Sequence, residues 1–220
     1  GGAQSPVGAM AGGGVPTSYD AIHAQAIASV QAGLAGGVLR MEVEFPPIAE
    51  VNKLSDGSAS SQRRVRVANV AFVVKVAEAM SRQAANVWIL CGDGNTREDM
   101  EKQRLPSNAQ VMLLKDGPPP SGSSDVILVH PPADLNQWEY AASLSSQSPV
   151  IALNGQQHNG HSSFEMAYYL KPMTFNSRVC GYLIRSLPFP WIVYGNDGSN
   201  MNVDVKFVQT ASGCRPDLQS

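Results

Sequence analysis

Four groups of residues in this chain have types and spacings that could do chemistry. Gly92-Asp93-Gly94 follows the apolar run Val87-Trp-Ile-Leu-Cys91 and precedes a charged segment. That is where a phosphate loop sits, because backbone amides opening a helix attract anions. A dinucleotide fingerprint, however, needs a third glycine where this chain has Arg97, together with an acidic partner at the right distance, and a Walker lysine is also missing. The triplet therefore reads as a tight turn feeding a capped helix. His158 and His161 stand three apart in the polar stretch 154–161. Two imidazoles can share a metal or relay a proton, but a stable zinc site needs more ligands than this neighbourhood supplies. They read as solvent-exposed loop histidines. Asp93, His130 and Asn154 each follow an apolar run, so in a parallel sheet they emerge near the carboxyl ends of the strands and invite a cleft. No Gly-x-Ser-x-Gly elbow accompanies them, which leaves a hydrolase triad unsupported. Glu42 and Glu44 lie two apart on one strand face. Paired carboxylates can share a proton, but the simpler reading is the solvent face of an edge strand. The sequence thus assigns no catalytic residue, no cofactor site and no metal site.

The remaining unusual feature is aromatic. In a chain that is only 7% aromatic, Phe164, Tyr168, Tyr169, Phe175, Tyr182, Phe189, Trp191 and Tyr194 crowd one region. Pro188 and Pro190 interrupt it just before Trp191. A proline pair lacks two amide donors and cannot sit in a central strand, so the pattern is strand, proline corner, Trp-led strand. Trp and Tyr dominate binding hot spots. Tyr168, Phe189, Trp191 and Tyr194 are the candidate partner-binding residues, with the core as the competing location for most of them.

The elements that must position these residues follow from periodicity. Ser18 or Asp20 caps a helix whose face is Ile22, Ala26, Val30 and Leu34, and Gly36-Gly37 end it. Val38 to Phe45 predicts a strand stopped by Pro46-Pro47, and 55–61 a loop. Residues 63–83 predict the strongest helix, with Val67, Val70, Ala71, Val74, Ala77 and Met80 turned inward. Strands follow at 87–91, 109–114, 125–129 and 150–153, with a helix from a Thr96-x-x-Asp99 capping box to about Arg104 and another over 133–146. This alternation predicts an α/β fold with a Rossmann-like, largely parallel sheet. Beyond residue 160 the runs 164–171, 178–187, 191–195 and 203–209 follow one another without helices, an antiparallel C-terminal extension turning at Asn196-Asp197-Gly198. Residues 1–16 read as a flexible arm, 17–210 as a single α/β domain and 211–220 as a tail.

Composition narrows the function classes. Sixteen basic and eighteen acidic residues give a net charge of −2, with no basic stripe, so nucleic acid is not an expected partner. Charged residues are 15% of the chain, below the average of about 25%, and the surface reads as loop-rich and weakly charged. Three cysteines at 91, 180 and 214 make neither a disulfide framework nor a zinc site; Cys91 and Cys180 lie in apolar runs and read as buried thiols. No run reaches the roughly 18 apolar residues of a membrane span. The absence of an initiator methionine at position 1 fits removal of a transit peptide and fits a trimmed N-terminus equally.

Met41-Glu-Val-Glu-Phe-Pro-Pro47, then Phe164-x-x-x-Tyr-Tyr-Leu-x-Pro172, then Gly181-x-Leu-x-Arg185-x-x-Pro188-x-Pro190-Trp191 carry a resemblance over roughly residues 18–210. In order and spacing they resemble a family of uncharacterised cyanobacterial and chloroplast domains. That family includes the Low Photosystem II Accumulation factor and the C-terminal part of a plastid adenylate kinase-like protein. The segments 96–104 and 116–124 look short or divergent beside the family. The resemblance implies a chloroplast stromal protein, peripheral to the thylakoid, that helps assemble or maintain a photosystem, photosystem II first. The expectation is a non-enzymatic factor. Its rivals are an enzyme using the cleft near Asp93, His130 and Asn154, and a stably bound peripheral subunit of a thylakoid complex.

Overall fold

The computed structural model describes residues 14–48, 58–155, 163–201, 207–210 and 213–216. His158, His161 and positions 1–13 of the predicted arm lie outside the described residues. Positions 14–16 are described: Val15 packs against the core, and the Gly14 carbonyl accepts a 2.9 Å hydrogen bond from Gln25. The folded part therefore takes in Gly14 and Val15.

The first helix, α1 (Tyr19–Ala35), starts at Ser18, whose hydroxyl accepts from the Ala21 amide. Gly37, at φ +76°, turns the chain into β1 (Arg40–Glu44). The helix α2 (Ala59–Met80) is capped by Ser58, so residues 59–61 are helical rather than loop. Its buried face is also rotated from the predicted one. Val67 is 53% exposed and Ala71 is exposed, while Phe72, Val73 and Val76 point inward. Phe72 decides the rotation: its ring packs edge-on to Phe45 at 4.8 Å, and a buried aromatic gains more area than a valine.

The strands β2 (Val87–Cys91), β4 (Val126–His130) and β5 (Val150–Leu153) are buried along their whole length. This is what unbroken apolar runs signify in a sheet covered on both faces. Alternate residues serve the two layers: Val87, Ile89 and Cys91 pack with α1 and α2, Trp88 and Leu90 with α4 (Leu135–Ser143). Between β2 and the edge strand β3 (Ala109–Leu113) runs α3 (Gly94–Glu101). The predicted cap of α3 is corrected: Asp93, not Thr96, is its N-cap residue.

The chain then adds β6 (Glu165–Phe175), β7 (Arg178–Ser186) and β8 (Ile192–Gly195). The eight strands run in the order β3-β2-β4-β5-β1-β6-β7-β8, parallel from β3 through β6 and antiparallel beyond. This is the predicted mixed α/β sheet with an antiparallel extension. A separate two-stranded sheet, β9 (Phe207–Thr210) with β10 (Gly213–Pro216), takes up part of the predicted tail.

The edge-strand reading of Glu42 and Glu44 fails. β1 lies inside the sheet between β5 and β6, and Glu42 is only 3% exposed. The predicted burial of Cys180 fails as well. Residues 174–180 are exposed, because the β6–β7 hairpin runs past the end of the sheet it grows from. Among the described residues, no helix is long and apolar enough to cross a membrane.

Candidate functional site

Two surfaces stand out, a cleft in the parallel half and an aromatic edge in the antiparallel half. The cleft forms where the chain's direction divides. From β2 it moves outward to β3, and from β4 it moves the opposite way to β5. Loops leaving two neighbouring strands in opposite directions open a crevice at their carboxyl ends, where α/β proteins bind ligands. The crevice here measures about 930 Å³ and contains Asp93, His130 and Asn154, so the structure brings together the three residues grouped from sequence.

Each is held by its own local device. Gly92 lets the β2 loop lie against the β4 loop: a Cβ there would come 2.0 Å from the Pro131 carbonyl oxygen. The Gly92 amide donates to the His130 carbonyl at 3.1 Å, and Gln137 bridges back to the Gly92 carbonyl at 3.2 Å. Asp93 then caps α3, its two oxygens accepting from the Thr96 amide at 2.9 Å and the Thr96 hydroxyl at 2.8 Å. A carboxylate thus occupies the helix end that a phosphate would need, so the Gly-Asp-Gly triplet is a structural turn.

His130 ends β4 and is 1% exposed. Its Nδ1 lies 2.7 Å from the Leu153 carbonyl, an acceptor, which puts the proton on Nδ1 and leaves Nε2 with a lone pair. Burial pushes the imidazole pKa down to about 4, against weaker upward pulls from the Leu153 carbonyl and Asp93, and the ring is neutral near pH 7. Asn154 follows β5 at φ +43°, a left-handed conformation asparagine tolerates. Its Oδ1 accepts from the Phe45 amide at 3.0 Å and its Nδ2 donates to Asn69 Oδ1 at 2.9 Å. Asn69 on α2 also lines the cleft and escaped the sequence reading. Its signal was an asparagine on the apolar face of a helix. Arg66, at the same wall, pairs with Asp99 at 2.7 Å, and the guanidinium beside Asp99 holds that carboxyl below its ordinary range. Cys91, just below, has its thiol pushed up to about 12, first by burial and then by Asp93, which makes it a poor nucleophile. Among the described residues no cluster of three or more His, Cys, Asp or Glu is placed to hold a metal ion.

The antiparallel half divides the predicted aromatic set. Tyr168 is fully buried and Tyr194 is 4% exposed; both belong to the core and cannot be reached by a partner. Burial raises both phenol pKa values, and Tyr168 spends its hydroxyl on Gln25 at 3.0 Å. Phe189 and Trp191 remain half-buried on the proline corner between β7 and the outermost strand β8. The corner is braced from within. Arg185 donates to the Phe189 carbonyl and pairs with Glu165 at 3.2 Å, and Trp191 sits edge-on to Tyr169 at 5.3 Å. Phe175 is not among the candidate partner-binding residues named from sequence. It is 72% exposed at the tip of the β6–β7 hairpin, beside Asn176 and Ser177, both at positive φ, with Val179 at 38% on the returning strand. Two left-handed residues between strands are the tight hairpin turn whose twist matches its strands.

A family model described as "Domain of unknown function (DUF1995)" matches residues 16–218. The chain belongs to the DUF1995 family. No curated protein and no solved structure matches it. The matched span takes in both the cleft and the aromatic edge of this DUF1995 domain.

Proposed function

We propose that this DUF1995 domain is a non-enzymatic assembly or auxiliary factor that binds a photosystem complex, photosystem II first, from the stromal side of the thylakoid. The observation that carries the reading is the aromatic edge of the antiparallel half. Phe175 is exposed on a hairpin that runs beyond the sheet, and Phe189 with Trp191 stands half-buried on a corner already fixed by two prolines and by Arg185. Aromatic side chains with little freedom left to lose are efficient anchors for a protein partner. The resemblance of the Phe164–Trp191 motifs to chloroplast and cyanobacterial domains supplies the partner class.

The test is capture from solubilised thylakoids by the full chain and by Phe175→Ala and Trp191→Ala, beside a thermal melt of each. The reading expects photosystem subunits with the parent chain, a loss worth about 2 kcal/mol or more of association for at least one variant, and a nearly unchanged Tm for Phe175→Ala. Equal capture by all three chains, or no photosystem subunits at all, would overturn it. A large fall in Tm for Trp191→Ala would move that residue into the core, leaving Phe175 to carry the claim.

A further inference from the structure

The cleft has unspent hydrogen-bonding capacity on groups that are almost wholly buried. His130, 1% exposed, makes one hydrogen bond, through Nδ1 to the Leu153 carbonyl, and among the described residues nothing donates to Nε2. Asn69, 7% exposed, accepts from Asn154 on Oδ1, and its Nδ2 donates to no described residue. The two groups are tethered to successive residues at the end of β5, His130 to Leu153 and Asn69 to Asn154, and both line the cleft. The cleft floor therefore carries one acceptor and one donor. Phe45, Pro46, Pro131 and Leu170 supply apolar wall. Among the described residues, the wholly buried side-chain polar atoms without a partner are Trp138 Nε1 and Tyr140 Oη, so His130 Nε2 and Asn69 Nδ2 still face the open cleft, where a ligand can reach both.

The charges around the floor say what such a ligand is not. The amino end of α3 is taken by the Asp93 carboxylate, and Arg66 is engaged with Asp99. Lys171 lies exposed at the rim, and Glu44 lines the same cleft. A phosphate or carboxylate would meet the Asp93 carboxylate at the helix end where it needs donors, with Lys171 standing only at the rim.

We propose that the cleft is a binding site for an uncharged planar cyclic amide, a lactam or pyrimidinone-type ring. Its N–H donates to His130 Nε2 and its carbonyl accepts from Asn69 Nδ2. The volume of about 930 Å³ holds such a ring with room for an uncharged substituent. The site stands on different residues from the aromatic edge and does not depend on the docking reading.

The experiment follows the imidazole ¹⁵N resonances of His130 in the full chain titrated with uracil, hypoxanthine and 2-pyridone, and separately with uridine monophosphate. The expected result is a saturable shift at Nε2 with at least one of the three neutral probes. The monophosphate should bind at least tenfold more weakly than uracil. Asn69→Asp keeps the oxygen that Asn154 needs and turns the donor into an acceptor, so it should weaken the neutral probe at least tenfold. Absence of a saturable shift with all three neutral probes at millimolar concentration would overturn the proposal. So would equal or tighter binding of the monophosphate, or unchanged affinity in Asn69→Asp. Because the first readout uses the unmodified chain, a variant that fails to fold leaves the result decided.

Discussion

The parallel and antiparallel halves of this sheet use side chains in different ways. In β2, β4 and β5 every residue is buried, so the strands can offer chemistry only at their ends, and Asp93, His130 and Asn154 all stand there. In β6 and β7 the sheet projects past its helices, and side chains such as Phe175 and Val179 reach solvent along the strands themselves. A sheet covered on both faces makes clefts, and a sheet that outruns its cover leaves apolar side chains exposed.

The sharpest way to break this contrast is to remove equal kinds of side chain from the two halves. Leu128→Ala, at a fully buried position of β4, should cost about 3–4 kcal/mol in denaturant unfolding. Val179→Ala on the projecting strand should stay within about 0.5 kcal/mol. Similar costs at both positions would mean that the hairpin is packed like the core.

Acid should find the cleft first. His130 is held neutral with its pKa down to about 4, whereas an unfolded chain protonates it near the ordinary value of about 6.5. Between those two values the unfolded state binds the extra proton, so stability is intact above about pH 6.5 and falls as the pH drops toward 4, by roughly 3 kcal/mol in all. His130→Phe should flatten that part of the stability–pH curve. An unchanged slope would place the titrating group elsewhere.

At the opposite end of the same strands Asp125 is a structural counterpart, 6% exposed. It accepts from the Asn86 amide and side chain, each at 3.0 Å, from the Trp88 indole at 3.2 Å and from the Gly122 amide at 3.0 Å. Burial alone would raise its pKa, but these donors hold it below the ordinary range. Asp125→Ala orphans several buried donors and should cost about 2 kcal/mol, with no effect on neutral probes bound at the other end. The smallest expected effect is a null one. Calorimetry with ATP and NAD should show no saturable heat at micromolar concentration, since the Asp93 carboxylate caps the helix that phosphates would need.

How far the sequence disclosed this depended on how local each property is. The buried strands at 87–91 and 150–153, and the one expected at 125–129 that the structure places at 126–130, were legible because continuous apolar runs mean cover on both faces. The clustering of Asp93, His130 and Asn154 followed from the same logic. Glu42 misled because alternation is local, whereas the placement of β1 between β5 and β6 is set by strands more than a hundred residues later. Cys180 misled because an apolar run does not reveal that its strand outruns the sheet. Tyr168 and Tyr194 shared the aromatic signature of Trp191, and only the register of β6, β7 and β8 separates inward from outward positions. Asn69 was hidden inside a helix read for its apolar face.

The central claim, docking through the antiparallel half, is tested most directly by photo-crosslinking on thylakoids with p-benzoylphenylalanine placed singly at Phe175 and at Val67. Both positions are exposed, at 72% and 53%, one on the projecting hairpin and one on α2 over the parallel half. The account predicts crosslinks to photosystem subunits from position 175 and none from position 67. Crosslinks from 67 with none from 175, or none from either, would contradict it.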